Sequence, residues 1–174
     1  MNITNDDFWE IIKYNHNQIQ FAEIKASAVV SIYGLFITIA YTIDILDEEN
    51  MYAFRFDDVF DYILLLVALP ILYFVGDSFV NCVRCFLPRL KESSLVSPLF
   101  FGDMALNYKD FDIYKEELIG LTNNEKEYKN HLSHMVYVTG NIAFTKMSRV
   151  NSAIKSLIKS MVLFVLFLLL NYLF

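Results

Sequence analysis

Lys146 and Arg149 stand three residues apart in a stretch without a single carboxylate. After Glu127 the last 47 residues carry Lys129, Lys146, Arg149, Lys155 and Lys159 and neither Asp nor Glu. Two cations at that spacing share a helix face. They can hold phosphate oxygens, the arginine as a planar fork and the lysine as a point charge. A solvated face beside an anionic membrane surface explains the same pattern without a ligand. Glu23 could pair with either cation. Lys25, two residues on, points elsewhere on a helix; it could anchor a span at an interface, pair with Asp103, or bind phosphate. Gly102 reads as a tight turn and Asp103 as the residue that caps or starts the next element, with direct ligand contact as the alternative.

Other chemistry is less well supported. Asp77 is the one carboxylate within an apolar stretch, where ionisable groups are costly and often functional. It could line a pore, pair with Arg84 seven residues on, or lie at the end of a span. Glu127, His131 and His134 share a helical face and could ligate zinc, but no fourth ligand is evident and hydrogen-bonding roles explain them as well. Cys82-x-x-Cys85 has metal-like spacing in an apolar segment, which favours small packing residues over a metal or a disulfide framework. There is no Gly-rich phosphate loop and no nucleophile elbow. The expectation is therefore a non-enzymatic protein without metal or cofactor.

The elements that position these residues follow from charge and hydropathy. The chain has 174 residues, 56% of them hydrophobic, and a mean hydropathy of +0.39. That is too apolar for an ordinary soluble domain, and nothing in it suggests a surface for nucleic-acid polymers. Thirteen of the fourteen Lys and Arg residues lie on one side of the apolar segments. The exception, Arg55, sits among seven carboxylates between Asp44 and Asp61. Short loops rich in Lys and Arg stay cytoplasmic, so the acidic loop is expected outside. The first 18 residues are polar and acidic, so no cleavable signal peptide is expected in that stretch.

Three spans are expected, at 26–45, 62–86 and 154–174, with Pro70 kinking the second. Ser27, Ser31, Gly34 and Thr38 in the first would let helices approach and hydrogen-bond across. In the third, Lys155 and Lys159 must snorkel to the inner interface. Residues 46–61 form the outer loop, and the C-terminus ends outside. The fold class is an all-α integral membrane protein. Its cytoplasmic helical region combines an amphipathic helix at 1–25 with the segment 87–153.

Within that region Thr4 or Asn5 can cap the first helix, which buries Phe8, Ile11, Ile12, Ile19 and Ala22 and runs directly into the first span. Pro88, Ser93, Ser94, Ser97, Pro98 and Gly102 mark an irregular connection. A helix over 111–119 should end near Gly120. Thr122-Asn123-Asn124-Glu125 matches a capping box opening a long helix that continues into the third span. That helix has an apolar stripe, Leu132, Val136, Ala143, Met147, Val150, Ile154 and Leu157. Its polar stripe is His134, Tyr137, Asn141, Thr145, Ser148, Ser152 and Lys155.

Three local patterns resemble the Pycsar-type transmembrane effectors of bacterial anti-phage defence. They are Glu23-Ile24-Lys25-Ala26 at the entry to the first span, where the family usually has Asp for Glu23; Phe100-Phe101-Gly102-Asp103-Met104-Ala105, following Leu87-Pro88-Arg89; and the stretch 131–158 with Ile142, Ala143, Lys146 and Ala153. The resemblance implies an effector that senses a cyclic nucleotide, typically a pyrimidine cyclic mononucleotide, made by a partner cyclase on infection. Once activated it would impair the inner membrane and halt the cell. Glu23, Lys25, Arg89, Gly102, Asp103, Asn141, Lys146 and Arg149 become the candidate ligand residues, and Asp77 and Arg84 the candidate intramembrane pair. A homo-oligomer is expected, because three helices enclose no obvious aqueous path. The alternative class is a non-signalling membrane scaffold or a small transporter subunit, although no internal repeat or pair of broken helices supports a transporter.

Overall fold

The computed structural model describes residues 4–46, 59–87 and 95–173. Of these, 92% are helical, and no strand occurs among them. Five helices follow in order: α1 (Asn5–Leu46), α2 (Val59–Phe86), α3 (Phe101–Asn107), α4 (Phe111–Asn123) and α5 (Glu125–Leu173). Most of the acidic loop, together with Pro88, Arg89, Ser93 and Ser94, lies outside the described residues.

Helices α1, α2 and α5 are long and apolar enough to cross a membrane. At about 1.5 Å per residue, 42 residues of α1 and 49 of α5 are each roughly twice the ~30 Å hydrocarbon thickness. Each therefore combines an apolar length with a polar extension in one unbroken helix. The chain divides into two compact units. One comprises 1–21 and 88–145, the other 22–87 and 146–174.

The second unit is a three-helix bundle of α1, α2 and α5. Its core is Ala22, Ala26, Val29, Tyr33, Cys82, Cys85, Val150, Ala153 and Leu157, with Phe79 and Met147 packed against it. Several of these are Ala or Cys at the helix crossings, where small side chains bring backbones close. Tyr33 stacks on Phe79 with ring centroids 5.1 Å apart, and Phe36 meets Phe164 edge-on at 5.0 Å. The hydroxyl stripe of α1 does not cross to a neighbour. Ser27, Ser31, Thr38 and Thr42 are exposed, and each donates to the carbonyl four residues earlier. In a lipid-facing helix this is the acceptor always within reach.

The first unit contains the start of α1, then α3, α4 and the start of α5. Thr4 caps α1: its N–H donates to the Asp7 carboxylate at 2.7 Å and its hydroxyl accepts from the Asp7 N–H at 3.4 Å. The bonds from Thr4 hold the Asp7 carboxyl below the usual carboxylate range. Ile12 and Asn15 turn inward, whereas Ile11 is exposed, unlike the expected apolar face. Asn15 locks α1 to α5, donating to the Val136 carbonyl at 3.2 Å and the Thr139 hydroxyl at 3.1 Å.

Three boundaries differ from expectation. Gly102 lies buried within α3 rather than in a turn before it. Helix α4 passes through Gly120 and ends at Asn123. The cap of α5 is Asn124, two residues after Thr122; the Asn124 side chain accepts from the Glu127 N–H at 3.3 Å and donates to its carboxylate at 3.1 Å. The Thr122 hydroxyl is already engaged inside α4, with the carbonyls of Leu118 and Ile119. Replacing Asn124 with Ala should lower the stability of the detergent-solubilised protein by about 1 kcal/mol, the usual cost of a lost cap. Thr122→Ala should change it by less than about 0.5 kcal/mol. Thermal unfolding of the two variants checks the register.

Candidate functional site: a polar ladder in the three-helix unit

The core-facing edge of α5 is not purely apolar. Residues 146, 149, 153, 156 and 160 recur at alternating three- and four-residue steps, the spacing that keeps one seam facing its neighbours. Each makes a polar contact with α1 or α2.

Lys146 forms an ion pair with Glu23 of α1. The lysine is buried and its partner half-exposed. Arg149 donates to the Asn81 side-chain oxygen on α2 at 3.4 Å. The Ala153 carbonyl accepts the Ser78 hydroxyl at 2.9 Å. The Ser156 hydroxyl donates to the Asp77 carboxylate at 2.6 Å. Ser160 meets the Tyr33 hydroxyl at 3.1 Å. Between α1 and α2, the Cys82 thiol lies 3.8 Å from the Ala26 carbonyl. Hydrocarbon offers no hydrogen bonds, so polar groups there need partners within the protein. Ser78, Asp77, Ser156, Ser160 and Tyr33, the rungs within the apolar lengths, find them turn by turn.

Asp77 is held by Ser156 and by Asn81, whose amide donates to the other carboxylate oxygen at 3.1 Å. The expected alternative of a pair with Arg84 is not formed: Arg84 is exposed, and no ion pair joins them among the described residues. Both cysteines are buried free thiols in the core. Lys159 lies over the Phe74 ring, 5.0 Å from its centroid, a cation–π contact that eases its place on an apolar helix.

In the other unit, Asp103 is buried and accepts the Ser97 backbone N–H at 2.9 Å. The Ser97 hydroxyl is 2.9 Å from His131 Nδ1, and both residues are buried. Asp103, Ser97 and His131 thus fasten the turn before α3 to α5. Tyr108 nearby has a raised pKa, from burial first and then from the carboxylates of Glu117 and Asp103. Glu127 is engaged with the Asn124 cap of α5, and no metal-holding group of three or more His, Cys, Asp or Glu occurs among the described residues.

The candidate ligand residues therefore separate. Glu23 and Lys146 meet in one pair, while Arg149 engages α2 and Lys25 is half-buried. Gly102 and Asp103 belong to the turn fastening, Asn141 is exposed on α5, and Arg89 lies outside the described residues. Asn81, Ser78, Ser156, Ser160 and Tyr33 carry the ladder without having stood out in the sequence. The three-four spacing on α5 was the available signal.

Removing one partner of a buried ion pair leaves an uncompensated charge and costs up to ~3–5 kcal/mol; the half-exposed Glu23 should bring this toward the lower end. Glu23→Gln and Lys146→Gln should each destabilise the solubilised protein. Their double mutant should show a coupling of about 1 kcal/mol or more, and the charge-swapped Glu23→Lys/Lys146→Glu chain should recover part of the loss. Equilibrium unfolding in mixed micelles measures all four; strict additivity would mean that the pair contributes no net coupling.

The Pycsar effector protein domain matches residues 7–171, nearly the whole chain. No curated protein and no solved structure matches it. The match includes all three apolar helices and every rung of the ladder. The chain belongs to the Pycsar effector family and is a multi-pass membrane effector of anti-phage defence.

Proposed function

We propose that this effector is non-enzymatic and is switched on by a cyclic nucleotide, a pyrimidine cyclic mononucleotide being favoured, to impair the inner membrane and cause abortive infection. In this account the N-terminus and 87–153 are cytoplasmic, and the C-terminus faces outward. The distribution of Lys and Arg supports that orientation. Family membership supports the signal class.

The observation that carries the mechanism is the continuity of α1 and α5. Each runs without a break from the non-spanning unit into the spanning one, and Glu23 and Lys146 pair close to where they pass between units. A ligand ordering the first unit changes two of the three helices that build the second. It acts only through a difference in affinity between resting and active states. Moving the active population from about 1% to about 99% needs roughly 10⁴-fold preferential binding. Three helices per chain make a pore or a lipid-disordering assembly a property of several copies.

Purified protein in dye-loaded liposomes, challenged with cyclic cytidine, uridine, adenosine and guanosine monophosphates, tests the proposal. Dye release with at least one nucleotide is expected. Release that is the same with and without every nucleotide would sink it.

A further inference from the structure

The ladder leaves the effector without an obvious place for its signal, because Lys146 is already neutralised by Glu23 and buried. The other unit offers one. A groove of about 640 Å³ opens beside the start of α1, lined by Asp6, Trp9, Glu10, Ile12, Lys13 and His16, with Thr139 of α5 across from them. That volume lies within the ~300–1,000 Å³ range of small-molecule sites. We infer that this groove binds the cyclic nucleotide, with the base against Trp9, its amino edge toward Asp6 and Glu10, and its phosphate toward Lys13 and His16.

The chemistry is ordered along the helix. From position 6 to position 16 is about 15 Å of α1, with the Trp9 indole between the Asp6 and Glu10 carboxylates and Lys13 and His16 beyond them. Trp9 is 41% exposed, a large aromatic surface presented to solvent sixteen residues before Lys25. Its ring is oriented rather than loose, because its N–H points to the Tyr128 hydroxyl at 3.4 Å. Stacking on such a face tolerates any base. Carboxylates discriminate, since they accept from the exocyclic amine of cytosine, whereas uracil presents an acceptor at the same place. The far wall is held by Asn15, bonded to the Thr139 hydroxyl and the Val136 carbonyl.

Three other hollows in this unit lack the combination. One beside His131 is about 200 Å³, below the usual size. One at Asp7, Glu10, Ile11 and Tyr14 has no cation. One at Asn123, Asn124, Glu125, Lys126 and Lys129 has no aromatic face, and its Lys129 is paired with Glu125.

The assignment rests on the cyclic-nucleotide response proposed above, and the chain's single tryptophan makes it separable from that response. Full-length protein in nanodiscs is titrated with cytidine and uridine 3′,5′-cyclic monophosphates while Trp9 fluorescence is followed; vesicle leakage is measured in parallel. Expected are saturable quenching, tighter binding of the cytidine nucleotide, and affinity weakened about tenfold or more in Lys13→Glu. Glu10→Gln should narrow the preference between the two bases. Trp9→Phe should keep nucleotide-dependent leakage, and Trp9→Ala should shift its dose dependence by about tenfold or more. Leakage that responds to nucleotide in wild type and unchanged in Lys13→Glu, with no change at Trp9, overturns the groove and leaves the effector function intact. Quenching without leakage upholds the groove and removes the membrane-impairing step. A silent fluorescence signal together with silent leakage overturns both.

Discussion

Lys146 carries a charge into the core of the three-helix bundle, and the arrangement of the other helices depends on how that charge is met. A buried ammonium without a partner is costly enough to unfold a small bundle or to lose its proton. Glu23 supplies the opposite charge, which fixes the register of α1 against α5 near the point where both helices leave the first unit. Once that register is set, Ala22, Ala26, Val29 and Tyr33 face the core of the second unit, and Tyr33 arrives opposite Ser160. Helix α2 then closes the bundle through Asn81, Ser78 and Asp77.

Apolar contact alone would not specify such an arrangement, because helix flanks and lipid tails are equally apolar. Van der Waals packing of small residues and directional hydrogen bonds must do so instead. Here the two are interleaved. Ala26, Cys82 and Ala153 allow close approach, and the same close approach puts a backbone carbonyl within reach of Ser78 and of the Cys82 thiol. The exposed hydroxyls of α1 behave oppositely, turning back to their own helix and leaving its outer face without directional demands.

The elements were legible because hydropathy and capping are local. Three spanning helices, the continuity of α1 and of α5, and the two stripes of α5 can be read from neighbours along the chain. The cap of α5 was misplaced by two residues because Thr122 and Asn124 both satisfy the local pattern, and only the fit of Thr122 inside α4 separates them. Gly120 looked like a stop, yet α4 continues to Asn123. The pairing of Glu23 with Lys146 was one of two possibilities that charge allowed. Ser156 as the partner of Asp77 was not foreseeable, since a serine in an apolar helix resembles any small residue until its neighbour on another helix is known. The Trp9 groove was hidden for a related reason: it joins Ile12 of the expected apolar face to Asp6, Trp9, Glu10, Lys13 and His16 beside it, and its far wall comes from Thr139, more than a hundred positions away.

The unbroken length of α5 also limits how this protein can change over evolutionary time. One residue inserted or deleted within a continuous α-helix turns everything beyond it by about 100°. Within the second unit, a single such event between Lys146 and Ser156 would separate the face of α5 that serves Glu23 from those that serve Asn81 and Asp77. Descendants that keep these contacts can vary the other side chains of α5 but not the residue count between Lys146 and Ser160. Length variation is therefore confined to positions outside that stretch, and a relative aligned across it should show substitutions there without gaps.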